Sequence, residues 1–205
     1  MTEMDLSAYK GIWVLGERTL DNKLAGVTLE LVGAARELAN QLGGEEVSVL
    51  LIADNTDPNE MVREIAGAGA NKVYLVQNDH LADYSTDLYA EVVTNAIKDK
   101  KPSILLIGAT TTGRDLAPRI SSRLNTGLTA DCTELGINEK GLLAAIRPTF
   151  GGSLMATILC PNSRPQMGTV RPKVLPKPEP NYDNQAQVEK LEYNVDPSIV
   201  RTKIL

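Results

Sequence analysis

Four apolar runs, each bounded by turn residues and followed by a segment of helical period, constrain this chain more than any other feature. They are Gly11 to Gly16 (GIWVLG), Val47 to Asp54 (VSVLLIAD), Lys72 to Asn78 (KVYLVQN) and Pro102 to Gly108 (PSILLIG). A strand that faces water on one side alternates polar with apolar residues. Runs that are apolar at nearly every position need cover on both faces, which is the condition of a parallel sheet between two helical layers. The segments between them supply that cover. Leu24 to Leu42 repeats apolar residues at helical spacing and stops at Gly43-Gly44, where glycine ends a helix readily. Pro58 suits the first turn of a second helix running to about Ala68. Ser85 to Lys98 places Leu88, Val92, Val93 and Ile97 on one face, and Gly113 to Leu124 forms a fourth helix. The alternation predicts an α/β fold of three layers around a mostly parallel sheet.

After Asn125 the texture changes. TADCTELGIN, GLLAAIRPTF, SLMATILC and QMGTVRP are short β-like runs joined by turn signals, and they read as antiparallel strands. Pro172, Pro176, Pro178 and Pro180 then make an extended connector, after which VEKLEYNV is strand-like. The expected organisation is an α/β domain over 1–170 with a β-rich second half, and an extended C-terminal segment over 171–205.

Composition excludes several classes of function. With 26 acidic against 21 basic residues the net charge is -5, which argues against a nucleic-acid surface. One Trp, one Phe and six Tyr make no platform for stacking bases, and Trp13 lies inside an apolar strand and reads as core. No apolar run approaches the ~20 residues of a membrane span. The opening MTEMDLSAYKGIWVLGE has no basic region ahead of an apolar core, so no secretory leader is read and a cytoplasmic chain without membrane insertion is expected. Cys132 and Cys160 are far apart without a CxxC, as reduced core thiols would be, and form no metal set. The sole histidine, His80, sits in polar QNDHLADY and reads as solvated, which removes triads and histidine metal sites. No catalytic residue and no metal ligand is assigned, and any chemistry must come from a cofactor or a partner.

Two local constellations remain. GATTTGRDLAPRISSRL, residues 108–124, follows the fourth apolar run directly. Thr110, Thr111, Thr112 and Gly113 at the carboxyl end of a strand have the makings of a nucleotide site. Equally, a threonine caps the helix while Arg114, Arg119 and Arg123 form its solvated face. The motif is neither GxGxxG nor a P-loop with its lysine. The second constellation is Arg147-Pro148-Thr149-Phe150-Gly151-Gly152. Pro148 pushes Arg147 toward an extended conformation, and the two glycines let backbone approach a flat ring. From these residues alone, a strand arginine in a surface ion pair is the simpler reading.

LIGATTTGRDLAPRISSRLNTGLTADCTELGI followed by IRPTFGGSLMATILCPNSRPQMGTVRP resembles the N-terminal domain of electron transfer flavoprotein alpha subunits, and the likeness runs from GIWVLGE to RTKIL. The resemblance implies an adenine-nucleotide alpha-hydrolase-like fold, a beta subunit of similar fold as partner, and electron exchange with a dehydrogenase or reductase. It also implies a second alpha domain carrying the electron-transferring FAD. The Gly-rich, Ser-containing motifs of that domain have no match here, so a fragment or shortened chain without the principal FAD site is expected. In the family AMP or a second FAD is held mainly by the beta subunit. The resemblance therefore makes GATTTGRDLAPR a structural and interface motif, its arginines reaching a partner or the second domain. It makes Arg147, with Thr149, Gly151 and Gly152, the candidate flavin contact, because a permanent cation stabilises the negative charge of a reduced ring. RPTFGG is similar to the NAD-linked, electron-bifurcating branch. The expected role is electron transfer, as a scaffold in a carrier subunit rather than a stand-alone enzyme. The alternative is a free-standing adenine-nucleotide module using Thr110 to Arg114 on AMP or ATP.

Overall fold

A computed structural model describes residues 5–201. The chain ends that the sequence reading includes in the resemblance, 1–4 and 202–205, lie outside the described residues. The first half is four strand-helix units: β1 (Ile12–Gly16), α1 (Gly26–Gln41), β2 (Val47–Ala53), α2 (Asn59–Gly67), β3 (Lys72–Gln77), α3 (Thr86–Lys100), β4 (Ile104–Gly108) and α4 (Thr111–Leu124). The second half adds β5 (Leu128–Cys132), β6 (Glu134–Ile137), β7 (Leu143–Thr149), β8 (Leu154–Ile158), β9 (Gln166–Val170) and β10 (Gln187–Lys190).

The apolar runs become strands because both of their faces are covered. Every residue of β1, β2 and β4 is buried. Along β1, Ile12 and Val14 join the core made with α1 and α2, while Trp13 and Leu15 join the core made with α3 and α4. Trp13 stacks at 4.8 Å on Tyr74. The seven-stranded sheet has the order β10-β3-β2-β1-β4-β9-β5, with β1 at its centre, and all its pairings are parallel. The three-layer α/β expectation is borne out.

The antiparallel reading of the second half is corrected. Of the four β-like runs after Asn125, two do not join an antiparallel set: β9 lies parallel beside β4, and β5 parallel beside β9. Local pattern marks a segment as strand but does not choose its neighbour, and β9, buried at every position, belongs in the core. Nor is TADCTELGIN one strand. Asp131 takes a left-handed φ of 66°, the pairing with β9 slips between Thr129 and Cys132, and the chain leaves for a second sheet. That sheet, β6-β7-β8, is antiparallel.

The proline-rich segment is extended, and it lies against the helices. Lys173 N donates to Glu30 at 2.7 Å. A Cβ on Gly33 would stand 3.0 Å from Pro178, and the Tyr182 ring lies under Arg63 at 4.8 Å. The segment then delivers β10 to the edge beside β3. Cys132 is buried, and burial pushes its thiol up to about 11 against the pull of Arg147. Cys160, also free, is half-buried rather than a core thiol, because it follows the exposed end of β8. His80 is exposed. Among the described residues no helix is long and apolar enough to cross a membrane.

Candidate functional site

The strand order creates the first of two clefts. From β1 the chain builds outward through β2 and β3, then returns to the other side of β1 as β4. At such a reversal the loops leaving adjacent strands diverge and open a crevice beyond their carboxyl ends. Here a cleft of about 310 Å³ is lined by Gly16, Glu17, Arg18, Ile107, Thr112 and Gly113, among others.

The threonine loop stands at its rim. Thr110 is the N-cap of α4: its Oγ1 accepts from Gly113 N at 3.0 Å and donates to Glu17 Oε2 at 2.8 Å. An added Cβ on Gly113 would lie 1.8 Å from Gly108 O, so the glycine allows the helix to approach its own strand. Arg114 Nε donates to Ala109 O and its Nη2 to Asp131, both at 2.8 Å. Arg119 donates to Asp87 of α3 at 2.9 Å. Thr112 and Gly113 line the cleft, whereas Thr110, Thr111, Arg114 and Arg119 do not. The hydroxyl and amide at the helix start satisfy each other, as in the capping reading.

Sequence reasoning overlooked Glu17 and Arg18. The Arg18 side chain is 9% exposed; it donates to Leu81 O at 2.8 Å, Ala82 O at 3.1 Å, Tyr89 OH at 3.2 Å and Asn22, and pairs with Asp54 at 3.8 Å. Burial raises the Glu17 carboxyl above its ordinary value, opposed by the Thr110 bond. The available signal was position: Gly-Glu-Arg directly follows the first apolar strand.

The second cleft, about 390 Å³, brings the other constellation together: Arg147, Thr149, Phe150, Gly151, Gly152 and Arg171 line it. Phe150, Gly151 and Gly152 adopt φ values of 48°, 66° and 92°, and a Cβ on either glycine would meet nothing within 4 Å. Thr149 Oγ1 donates to Leu154 O at 3.3 Å. The buried Nε of Arg147 has no hydrogen-bond partner. Below the cleft, Asp131 accepts from Arg171 at 2.7 Å and from Arg114 at 2.8 Å. The Arg171 bond, with the charges of Arg114 and Arg147, holds its carboxyl below the ordinary range against partial burial. Three guanidiniums around one carboxylate leave the cleft positive. Arg171 was also overlooked, although Arg171-Pro172 repeats Arg147-Pro148 at the end of another strand. Beside this cleft β8 is the edge of its sheet; its Leu154 is 58% exposed and its Met155 is exposed, as are Phe150, 81% exposed in the turn before it, and Leu159 just after it.

Comparison with known proteins accords with both features of the chain, its layered sheet and its paired motifs. Residues 12–196 match the family described as electron transfer flavoprotein domain. A protein of Thermoanaerobacterium thermosaccharolyticum named electron transfer flavoprotein subunit alpha is 46% identical over 200 residues, covering 98% of this chain and 59% of that protein. One of the same name from Clostridium acetobutylicum is 47% identical over 204 residues, covering 98% and 60%. A protein of Anaerotignum propionicum named acryloyl-CoA reductase electron transfer subunit beta is 37% identical over 226 residues, covering 98% and 60%. The chain thus spans about three fifths of the length of these relatives. With a family match over most of its residues and relatives above 45% identity over nearly all of them, the chain belongs to the electron transfer flavoprotein family and aligns with its alpha subunits.

Proposed function

We propose that this chain is the scaffold part of an electron transfer flavoprotein alpha subunit. It docks a beta subunit of similar fold over the β7-β8 face and holds Arg147 beside a flavin bound by that partner. One observation carries the reading: the exposed apolar residues of the β8 edge adjoin a cleft lined by Arg147 and Arg171, the two meeting at the exposed Phe150 and at the paired Thr149 and Leu154. Obligate interfaces resemble a core cut in half, and an edge strand offers unpaired backbone groups to a partner.

The residues present fit a flavin. Gly151 and Gly152 put no side chain in the way of a flat ring, and Arg147, whose buried Nε has no hydrogen-bond partner, lines the same cleft. When bound, the FAD accepts and releases electrons. The chain contributes shape and charge, the guanidinium favouring the more negative, reduced ring. Exchange with a dehydrogenase or reductase belongs to the complete protein, and the reductase named in the Anaerotignum relative supports that class. NAD-linked, electron-bifurcating use rests on the RPTFGG form and is tested by NADH oxidation in the assembled complex. Two free cysteines accord with a cytoplasmic setting.

A nucleotide module built on Thr110 to Arg114 is less favoured, because Arg114 is engaged by Asp131 and Ala109 and the Thr110 hydroxyl at the start of α4 is engaged by the Glu17 carboxylate. The scaffold reading is tested by copurification with the beta subunit of the same source. A one-to-one complex is expected, and Leu154→Asp with Met155→Asp should abolish it while leaving the melting temperature of the isolated chain unchanged. No association of the unaltered chain, or association indifferent to both substitutions, contradicts it.

A further inference from the structure

The cleft between β1 and β4 is unused by the scaffold role, yet it is built. Its floor is apolar, made by Leu15, Ile52, Ile107 and Leu116, and Tyr84 and Tyr89 contribute to its lining. Its charged groups are mainly acidic. Glu17, Asp54 and Asp83 line it, and among the described lining residues the single basic group is Arg18. That guanidinium is nine-tenths buried and already bonded to two backbone carbonyls, Tyr89 and Asn22.

A helix N-terminus normally invites an anion. At α4 that place is taken: Thr110 Oγ1 satisfies the Gly113 amide, and the Glu17 carboxylate lies directly behind it. Among the described residues, Thr110 is the one donor to that carboxylate. Burial strains it toward the neutral form, so a ligand N–H would complete its bonding.

We propose that this cleft binds a planar, unphosphorylated nitrogen heterocycle bearing an amino group, of the purine base or nucleoside class. Glu17 accepts its N–H, the apolar floor takes its face, and phosphate is excluded. The exclusion follows from charge: a phosphate would meet the carboxylates of Glu17, Asp54 and Asp83, and the one lining cation among the described residues, Arg18, is already paired with Asp54; like charges at close range oppose binding strongly. The recognition follows from pairing, since a buried acceptor discriminates sharply between ligands that donate to it and ligands that do not.

Calorimetric titration of the purified 205-residue chain with adenosine and with AMP tests this. One adenosine per chain is expected, with AMP weaker by about tenfold or more. Thr112→Phe fills the rim at a side chain with no hydrogen bond to lose; it should abolish adenosine binding without changing the melting temperature. Glu17→Ala should weaken it by about tenfold, the cost of losing a hydrogen bond to a charged acceptor. AMP binding as tightly as adenosine, no adenosine heat at millimolar concentration, or an affinity unaffected by Thr112→Phe each overturns the proposal. None of these outcomes bears on docking of a beta subunit, which is read separately by copurification.

Discussion

The two sheets of this molecule obey opposite rules. In the seven-stranded sheet, β1, β2, β4 and β9 are buried at every residue. In the three-stranded sheet, β8 is exposed at four of its five residues although Leu, Met and Ile are among them. β6 and β7 lean on the body, through Ile137 N donating to Gln41 at 3.1 Å and through buried Leu143 and Ala145; β8 is the sheet's edge and pairs with β7. Apolar area stabilises only where it leaves water, at about 25 cal/mol per Å². The parallel sheet is therefore complete in itself, whereas the apolar residues of β8 contribute little until something covers them.

Two pairs of substitutions sharpen that contrast, taken in order of the larger effect in each pair. Leu50→Ala, at a fully buried residue of β2, should cost about 2–5 kcal/mol, while Leu154→Ala in the isolated chain should cost under about 0.5 kcal/mol. Urea denaturation gives both, and equal costs would erase the distinction. Gly113→Ala forces a Cβ against Gly108 O and should reach the upper end of about 1–3 kcal/mol for overpacking. Gly151→Ala, in open space, should lose only about 1 kcal/mol for its left-handed backbone.

Thr110→Ala removes the cap of α4 and should cost about 1 kcal/mol, measured the same way; no loss would show that the helix start needs no hydroxyl. Glu17→Gln should act least and in the opposite direction. Because burial lifts the folded carboxyl above 4.5, the folded state holds that proton more tightly than the unfolded one. Its contribution is then fully present below 4.5 and lost as pH rises through the folded value. The glutamine variant should melt higher than the parent at pH 7 and at the same temperature well below pH 4.5. A variant that melts lower at pH 7 would mean that the charged carboxylate supports the fold.

What the sequence made legible divides along the same line. β1 to β4 were readable because a residue buried on both faces leaves no polar alternation to confuse the period. Helix α4 starts at Thr111 rather than Gly113 because the Thr110 hydroxyl closes the first turn ahead of the apolar pattern. The parallel placement of β5 and β9 was not readable: pairing across a sheet is a long-range choice, and Leu128–Cys132 looks locally like the antiparallel strands beside it. At the sites, Arg147 and its glycines form one local cluster and were found together. Asp131, in β5, and Arg171, just past β9, set the charge of that cleft and meet Arg147 only through folding. Glu17 and Arg18 match no phosphate or metal motif, and their significance comes from standing at the reversal of the sheet.

The central claim concerns the second cleft, and the flavin's own potential reads it most directly. In the assembled alpha-beta complex, Arg147→Ala should lower the reduction potential of the flavin held by the beta subunit while the complex stays intact. Loss of a nearby cation disfavours the more negative, reduced ring, and ~59 mV corresponds to a tenfold change for one electron. A potential that stays put or rises in an intact complex would contradict the account and leave Arg147 a structural residue of β7.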